Sequence, residues 1–147
     1  MTITVRELMT EDLITLSAGD DLPRADALMR LNRLRHLPVV EGKKLAGLIT
    51  HRDLLRLQTE LLARLGRTGD PDEEVFVPLT AGDLMNRDVA TTTAETPAAE
   101  AGARLLKNRF GCLPVVAEDQ TLVGIITESD FLAWAIDRLE ASGGSAG

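Results

Sequence analysis

Short apolar runs and amphipathic stretches follow one another in a fixed order along the first half of the chain. Residues 13–16, 37–40 and 45–50 are aliphatic runs of strand length, and a polar, glycine-containing turn separates the last two. Residues 23–32 predict a helix that opens on a proline, and residues 52–65 predict a second helix because leucines recur there at helical spacing. The order of elements is therefore β-α-β-β-α.

The second half of the chain repeats this order with many of the same residues. The offset between matching residues is 76 positions, and after one inserted residue it becomes 77. The clearest matches are Leu8-Met9 with Leu84-Met85, Asn32-Arg33 with Asn108-Arg109, the Leu-Pro-Val-Val segments at 37–40 and 113–116, and residues 47–53 with 124–130. The second copy predicts a β-prone stretch at 89–92, a helix that opens near Pro97 and a final helix across residues 131–139.

This duplication predicts an α/β (α+β) fold built from two β-α-β-β-α repeats. We assign residues 1–66 to repeat 1, 67–80 to a polar connector, 81–141 to repeat 2 and 142–147 to a flexible tail. Each repeat is too small to bury a good core alone, so we expect the repeats to pack sheet to sheet about a pseudo-twofold axis. Two equivalent clefts would then lie where the copies meet, and we expect function there.

Composition and charge exclude several classes of partner. The chain is 44% hydrophobic but only 3% aromatic, and its formal net charge is -7 at pH 7. An acidic chain is electrostatically unsuited to duplex nucleic acid or to an anionic membrane, so a local pocket must hold any bound anion. A single cysteine and the lack of an apolar leader after Met1 predict a cytoplasmic protein. No apolar run reaches the length of a membrane-spanning helix.

The strongest chemical signal is the duplicated segment Gly-h-h-Thr-x-x-Asp, in which h is an aliphatic residue. It occupies residues 47–53 and 124–130, each at the junction of a strand with a helix. A helix start presents unpaired amides and the positive end of the helix dipole, which favour phosphate. The aspartate can accept hydrogen bonds from both hydroxyls of a ribose, the threonine adds a donor, and the glycine allows close backbone approach. The segment therefore indicates a nucleotide site.

The same spacing also fits a purely structural role. Thr-x-x-Asp is close to a capping box, in which the threonine caps the helix and the acid bonds back to its start. The glycine and the Leu-Pro-Val-Val strand accompany the motif in both copies, which favours the binding interpretation but does not exclude a capping role. His36 and His51 lack companions at metal-ligand spacing, and Cys112 has no base beside it in the sequence. We therefore predict no metal site, no catalytic residue and no enzyme activity.

Taken in order, these segments resemble paired cystathionine-β-synthase-type repeats, called CBS domains, assembled as a Bateman module. The resemblance covers nearly the whole chain and is carried by the Leu8-Met9-Thr10 and Leu84-Met85-Asn86 openings, the two Leu-Pro-Val-Val strands and the two Gly-h-h-Thr-x-x-Asp segments. It implies a regulatory, energy-sensing module that requires no cofactor. The ligand implied is an adenosine-containing molecule such as AMP, ADP, ATP or S-adenosylmethionine.

The resemblance also implies two crossed sites of unequal character. The first would comprise Asp12, Ile14, Leu34, Arg35, His36, Ile125, Thr127 and Asp130. The second would comprise Leu48, Thr50, Arg52, Asp53, Asp88, Ala90, Phe110, Gly111 and Cys112. In the first site Asp130 would hold the ribose, and Ile14 and Leu34 would flank the adenine. Arg35 and His36 would meet the phosphate there, so we expect the first site to suit a charged nucleotide better.

Two functions of different classes remain open at this point. The leading one is a non-catalytic sensor whose ligand favours one arrangement of the two copies and whose state is read by a separate effector protein. The alternative is a structural dimerisation module with vestigial, empty clefts. Related modules dimerise through their helical faces, and the leucine-rich stretches at 52–65 and 131–139 predict a homodimer here as well.

Overall fold

The structure, a computed structural model, describes residues 2–65, 78 and 80–144. Its helices are α1 (Val5–Leu8), α2 (Leu22–Asn32), α3 (His51–Leu65), α4 (Ala81–Leu84), α5 (Ala98–Asn108) and α6 (Glu128–Gly144). Its strands are β1 (Leu16–Ser17), β2 (His36–Glu41), β3 (Lys44–Thr50), β4 (Cys112–Val116) and β5 (Leu122–Thr127). The chain is therefore a mixed α/β fold, which confirms the predicted fold class.

Two compact units form, and they do not coincide with the two sequence repeats. Unit 1 joins the first residues, through Leu13, to the segment that begins at Ala90, and unit 2 is Ile14–Val89. Each unit thus contains the opening segment of one repeat and the remainder of the other. The assignment of residues 1–66 and 81–141 to repeats describes the sequence and stays a prediction.

Each of the two sheets is built on an antiparallel hairpin, and the two hairpins are homologous. In unit 2, β2 pairs antiparallel with β3 from His36 opposite Thr50 onward, and β1 adds to β2 in parallel. In unit 1, β4 pairs antiparallel with β5, starting with Cys112 opposite Thr127. Both hairpins shift register by one residue at the same valine pair of the Leu-Pro-Val-Val segment, so the duplicated sequence reproduces the irregularity as well as the pairing.

The first long helix of each repeat forms where the sequence predicted it. Asp21 caps α2 by accepting a 2.9 Å hydrogen bond from the Arg24 amide, while Pro97 is the residue that precedes α5. Both helices end at an arginine in the left-handed conformation, Arg33 and Arg109, each with φ of 54°. Their inner faces are buried at matching positions in the cores of the two units.

The short helices α1 and α4, which the sequence analysis did not predict, complete the two cores. Val5 and Leu8 of α1 pack with Leu113 and Ile126 in unit 1. In unit 2 the equivalent contribution comes from Ala81 of α4 and from Met85, which follows it. Because α1 belongs to repeat 1 and α4 to repeat 2, each core receives buried apolar side chains from the opposite repeat.

The opening segment continues from each short helix onto the outer edge of the last strand. Thr10 and Ile125 exchange backbone hydrogen bonds of 2.8 and 3.0 Å, and Asn86 and Leu48 exchange two of 3.0 Å. A Cβ built on Gly124 would lie 2.8 Å from the Met9 sulfur. A Cβ built on Gly47 would lie 2.6 Å from the sulfur of the homologous methionine and 2.8 Å from the Asn86 carbonyl. The glycine of the duplicated motif therefore makes room for an opening segment.

Three predicted elements differ from the structure. The predicted strand at 13–16 is reduced to β1, and the stretch at 89–92 forms only a single bridge between Thr92 and Val115. Helix α6 extends to Gly144, into the part assigned to a flexible tail. Most of the connector at 67–80 lies outside the described residues. Residue propensity indicates where a strand or a polar tail can form, but it does not set the length of the element. The length of a strand depends on its pairing partner, and the length of α6 depends on how far the helix propagates.

Among the described helices, none is both long and apolar enough to cross a bilayer.

Replacing Gly47 with alanine tests the close contact between Gly47 and the opening segment at Met85 and Asn86. We expect Gly47→Ala to lower the free energy of unfolding by about 1–3 kcal/mol, because its methyl group would overlap the Met85 side chain and the Asn86 carbonyl. Gly19→Ala is the matched control, since a Cβ at Gly19 meets no atom within 4 Å. Urea unfolding of both variants measures the difference, and equal stabilities would contradict this account.

Candidate functional site

The duplicated motif lies at the same place in both units, where the last strand ends and the last helix begins. We call this place edge 1 in unit 1 and edge 2 in unit 2. Edge 1 consists of residues 10–12, 111–112 and 127–130, and edge 2 of the homologous residues 86–88, 35–36 and 50–53. The strand pairing and the bridges of the opening segments bring the three parts of each edge together.

At edge 2, Thr50 and Asp53 form the reciprocal bonds of a capping box. The Thr50 amide donates to Oδ2 of Asp53 at 2.9 Å, and the Asp53 amide donates to the Thr50 hydroxyl at 3.2 Å. The structural interpretation of this spacing is therefore correct here. The capping box occupies only Oδ2 of Asp53, because Oδ1 makes no hydrogen bond to any residue that the structure describes.

At edge 1, the homologous aspartate is held by both of its oxygens. The Thr127 amide and hydroxyl donate to Oδ2 of Asp130 at 2.8 and 3.3 Å. The Thr10 hydroxyl donates to Oδ1 at 2.8 Å. Asp53 and Asp130 are both half-buried.

Thr10 is a residue of the site that the sequence analysis did not select. It was recognised only as part of an opening segment, and it lies 120 residues from Asp130 along the chain. Its counterpart Asn86 bonds instead to the Asp88 amide at 3.0 Å. No local pattern signals this contact, because it depends on the packing of the opening segment against the other repeat.

Edge 2 also contains four basic residues of repeat 1, which are Arg35, His36, His51 and Arg52. His36 lies opposite Thr50 in the hairpin, and the Arg35 carbonyl accepts a 2.8 Å hydrogen bond from the His51 amide. The amides of Thr50, His51 and Asp53 at the start of α3 are thus already paired. Counting only partners among the described residues, the Arg52 amide is the one left for a phosphate. The charged arginine side chains are therefore the stronger source of attraction for an anion at this edge.

The environment of His36 holds its imidazole neutral. Burial is the main cause that lowers the pKa of His36 below 6.5, the neighbouring Arg35 charge lowers it further, and Asp53 opposes the shift. That effect of Asp53 places His36 and the carboxylate within electrostatic reach of each other in unit 2. Neutral imidazole offers one hydrogen-bond donor and one acceptor rather than a positive charge.

Cys112 occupies the position of His36 at edge 1 and is chemically quiet. The side chain is buried, and burial raises the pKa of the Cys112 thiol to about 12. A thiol that stays protonated is a poor nucleophile and metal ligand. Cys112 is thus a small packed residue of unit 1. No metal-binding group of three or more His, Cys, Asp or Glu occurs within the described parts of the chain.

The remaining predicted site residues divide between the two units. Unit 2 contains Ile14, Leu34, Arg35, His36, Leu48, Thr50, Arg52, Asp53 and Asp88. Unit 1 contains Asp12, Ala90, Phe110, Gly111, Ile125, Thr127 and Asp130. Ile14 and Leu34 pack at the margin of the unit 2 core, and Ala90 and Phe110 do so in unit 1. The predictions that joined Arg35 and His36 to Asp130, and Asp53 to Phe110, combine residues of different units and stay predictions.

Comparison with known proteins identifies the duplicated segments. A family model described as "CBS domain" matches residues 5–60 and again residues 81–137. A CBS domain-containing protein of Dictyostelium discoideum is 30% identical over 141 residues, which are 95% of this chain and 96% of that protein. The chain spans between 21% and 46% of the length of four other curated relatives. One of these is an inosine-5'-monophosphate dehydrogenase of Korarchaeum cryptofilum, 31% identical over 119 residues, or 81% of this chain.

Solved structures show the same similarity in three dimensions. A Vibrio cholerae protein assigned to acetoin utilization, AcuB, superposes with a TM-score of 0.80 at 33% identity and covers 98% of each chain. CBSX2, solved in complex with AMP, superposes with a TM-score of 0.76 at 28% identity over 91% of this chain and 96% of its own.

The depressed pKa of His36 makes the stability of the protein depend on pH. Above pH 6.5 the imidazole is neutral in both the folded and the unfolded chain, whereas below it the unfolded chain takes up the proton first. Stability is therefore lost as pH falls below 6.5. We expect His36→Gln to reduce this loss and His51→Gln, an exposed control, to leave it in place. Urea unfolding between about pH 7 and pH 5 measures the slope, and an unchanged slope in His36→Gln would contradict the assignment.

Proposed function

Because the chain belongs to the CBS-domain family, we propose that it is a regulatory module that binds adenosine-containing ligands. The observation that carries this proposal is the arrangement of edge 2, where a carboxylate with an unused oxygen lies beside Arg35 and His36 at the start of a helix. Ribose hydroxyls need acceptors, and a 5′-phosphate needs cations or donors. The AMP complex of the similar CBSX2 supports the same ligand class.

Within this proposal Asp53 plays two roles with its two oxygens. Oδ2 accepts from the Thr50 amide and fixes the carboxylate relative to the helix start. Oδ1 is then oriented in advance to accept from a ribose hydroxyl, so little side-chain freedom is lost on binding. A capping box and a ribose contact are thus compatible functions of one Thr-x-x-Asp segment.

The proposal extends from binding to regulation. A ligand regulates only if it binds one conformation more tightly than another, so the readout would be a shift in the population of conformations. We propose that an effector protein reads this shift, that AMP, ADP or ATP act as the ligands of an energy sensor, and that the protein works in the cytoplasm. The proposal assigns the chain no catalytic role.

A comparison of AMP binding by the original protein and by Asp53→Asn tests the proposed function. AMP at one hundred times its dissociation constant should stabilise the protein by about 2.7 kcal/mol, a rise of several degrees in Tm. We expect Asp53→Asn to weaken AMP binding about tenfold or more, because the amide still accepts from Thr50 but lacks the charge. Isothermal titration calorimetry measures the affinity.

The control for this test removes an acid elsewhere in the same hairpin. Glu41→Gln changes an exposed carboxylate at the far end of β2, where Glu41 pairs with Lys44. It should bind AMP like the original protein. Absence of any stabilisation by AMP, or equal affinities of Asp53→Asn and Glu41→Gln, would refute the proposed function.

A second candidate function, dimerisation, is favoured by the last helix of each unit. Leu132, Ile136 and Leu139 form an apolar stripe along α6, with Leu132 62% and Leu139 71% exposed. Leu55 and Leu62 occupy the homologous positions of α3 and are also exposed. Helix faces of this kind cover their apolar surface by pairing, and a second copy of the chain supplies an identical apolar stripe. We therefore propose a homodimer formed through these helices.

Charged substitutions on α6 test the homodimer. Leu132→Glu combined with Leu139→Glu should convert a dimer to a monomer, because the interface would have to bury carboxylates. Leu106→Glu is the matched control, since Leu106 is 77% exposed on α5 of the same unit. Sedimentation velocity measures the mass, and a monomeric original protein or a dimeric double variant would exclude this interface.

A further inference from the structure

His36 differs from the other histidine of the chain because its ring is half-buried at edge 2. It is the first residue of β2 and lies opposite Thr50 in the hairpin. The ring nitrogens make no hydrogen bond to any residue that the structure describes. A polar group that is largely removed from solvent needs a hydrogen-bond partner, and water or a bound molecule can supply one. The imidazole is therefore free to respond to a molecule that binds at edge 2.

Two charges of opposite sign act on this imidazole. Arg35 precedes it in the chain, is exposed and forms no ion pair with any residue in the described parts of the chain. Asp53 acts on it from the start of α3, where the Thr50 amide fixes Oδ2 of the carboxylate. Burial, and after it the Arg35 charge, lower the pKa of His36 against the opposing effect of Asp53. The ring is therefore neutral while edge 2 holds no anion.

The elements around His36 carry further charged or titratable groups. They are Arg33 at the end of α2, His51 and Arg52 at the start of α3, and Arg87 and Asp88 on the opening segment. All three arginines and His51 are exposed. The arginines stay protonated at every pH at which the protein is folded, so they add attraction for an anion but cannot change their own charge.

An anion bound beside Arg35 would change the balance at His36. It would offset the guanidinium charge that disfavours the imidazolium and add a negative charge of its own near the ring. The imidazole would then accept a proton, and both ring nitrogens would become hydrogen-bond donors to the anion. A neutral ligand at the same place makes no such change, so proton uptake depends on the charge of the bound molecule.

Edge 1 shows that this arrangement is specific to repeat 1. Gly111 and Cys112 stand there in place of Arg35 and His36, and the buried thiol stays protonated. Glu11 stands where edge 2 has Arg87. The two edges therefore share their backbone pairing but differ in charge, and edge 2 is the one whose histidines can gain a charge near neutral pH.

We propose, on the basis of the adenosine binding proposed above, that edge 2 takes up a proton on His36 when it binds an adenosine with an anionic 5′ group. His36 is then a specificity-determining residue, because it adds a positive charge only when the ligand brings a negative one. Proton and nucleotide are thereby linked ligands of one site, and each raises the affinity for the other.

Linkage gives the direction of the pH dependence. Without an anion, His36 is protonated only below pH 6.5, and with an anion bound its pKa is higher. Between these two values binding takes up a proton, so the affinity rises as pH falls, by at most about tenfold per pH unit. Above both values the ring is neutral with or without ligand, and the affinity for the anion no longer depends on His36.

Calorimetry with two probes tests the proton uptake directly. The anionic probe is adenosine 5′-(methyl phosphate), whose one negative charge does not titrate near neutral pH, and the neutral probe is adenosine. Each is titrated at about pH 6 in MES and in Bis-Tris, because the heat of buffer ionisation reports the protons exchanged on binding. We expect uptake of a fraction of a proton with the anionic probe and none with adenosine.

Variants of the two histidines assign the proton to a residue. His36→Gln keeps a hydrogen-bonding side chain that cannot titrate, and it should bind the anionic probe without proton uptake. Its affinity should be about threefold or more below that of the original protein at about pH 5.5 and should approach it at about pH 7.5. His51→Gln replaces the other histidine of edge 2 and should keep the proton uptake. Thermal unfolding at each pH verifies that both variants are folded.

The outcomes separate this inference from the proposed function. If neither probe binds the original protein, adenosine binding itself is wrong. If the probes bind but no proton is taken up with the anionic one, the function stands and the coupling to His36 is overturned. The coupling is equally overturned if His36→Gln takes up as much proton as the original protein, or if the uptake is lost in His51→Gln alone.

Discussion

The contact between each opening segment and a glycine on the last strand of the other repeat governs the architecture of this protein. Met9 lies over Gly124 and Met85 over Gly47, at distances that no side chain on those residues would permit. The backbone bridges that accompany these contacts bring Thr10 and Asn86 to the point where a helix begins. The packing of an opening segment against the last strand brings the parts of each edge together. The candidate sites therefore depend on contacts between residues that are far apart in the sequence.

Several features were predictable because they are local. The helix near Pro23, the hairpins and the duplicated helix starts follow from propensity, periodicity and capping residues within a few positions of each other. The duplication itself identified the family. The resemblance implied that Asp12 and Asp88 lie with the motif of the other repeat. The residue pattern alone could not predict this exchange of opening segments, because α1 and α4 are four residues long and carry no periodic pattern.

The candidate site was predicted in its components and not in its connections. The sequence singled out Asp53 and Asp130, but whether a Thr-x-x-Asp pair caps a helix or binds a ligand depends on which carboxylate oxygen remains unused. Thr10 decides this at edge 1, and pairing of β2 with β3 brings His36 close to Asp53 in unit 2. Both relations are tertiary, so a linear pattern contains neither.

The packing of each opening segment on the other repeat also constrains how such a chain could arise. A polypeptide with one repeat would have an unfilled groove over its glycine and an opening with nowhere to pack. It would satisfy both only by domain swapping with a second molecule. Duplication and fusion convert that intermolecular swap into an intramolecular one, whose formation no longer depends on protein concentration. The two halves were thereafter free to diverge in charge while their shared backbone stayed fixed.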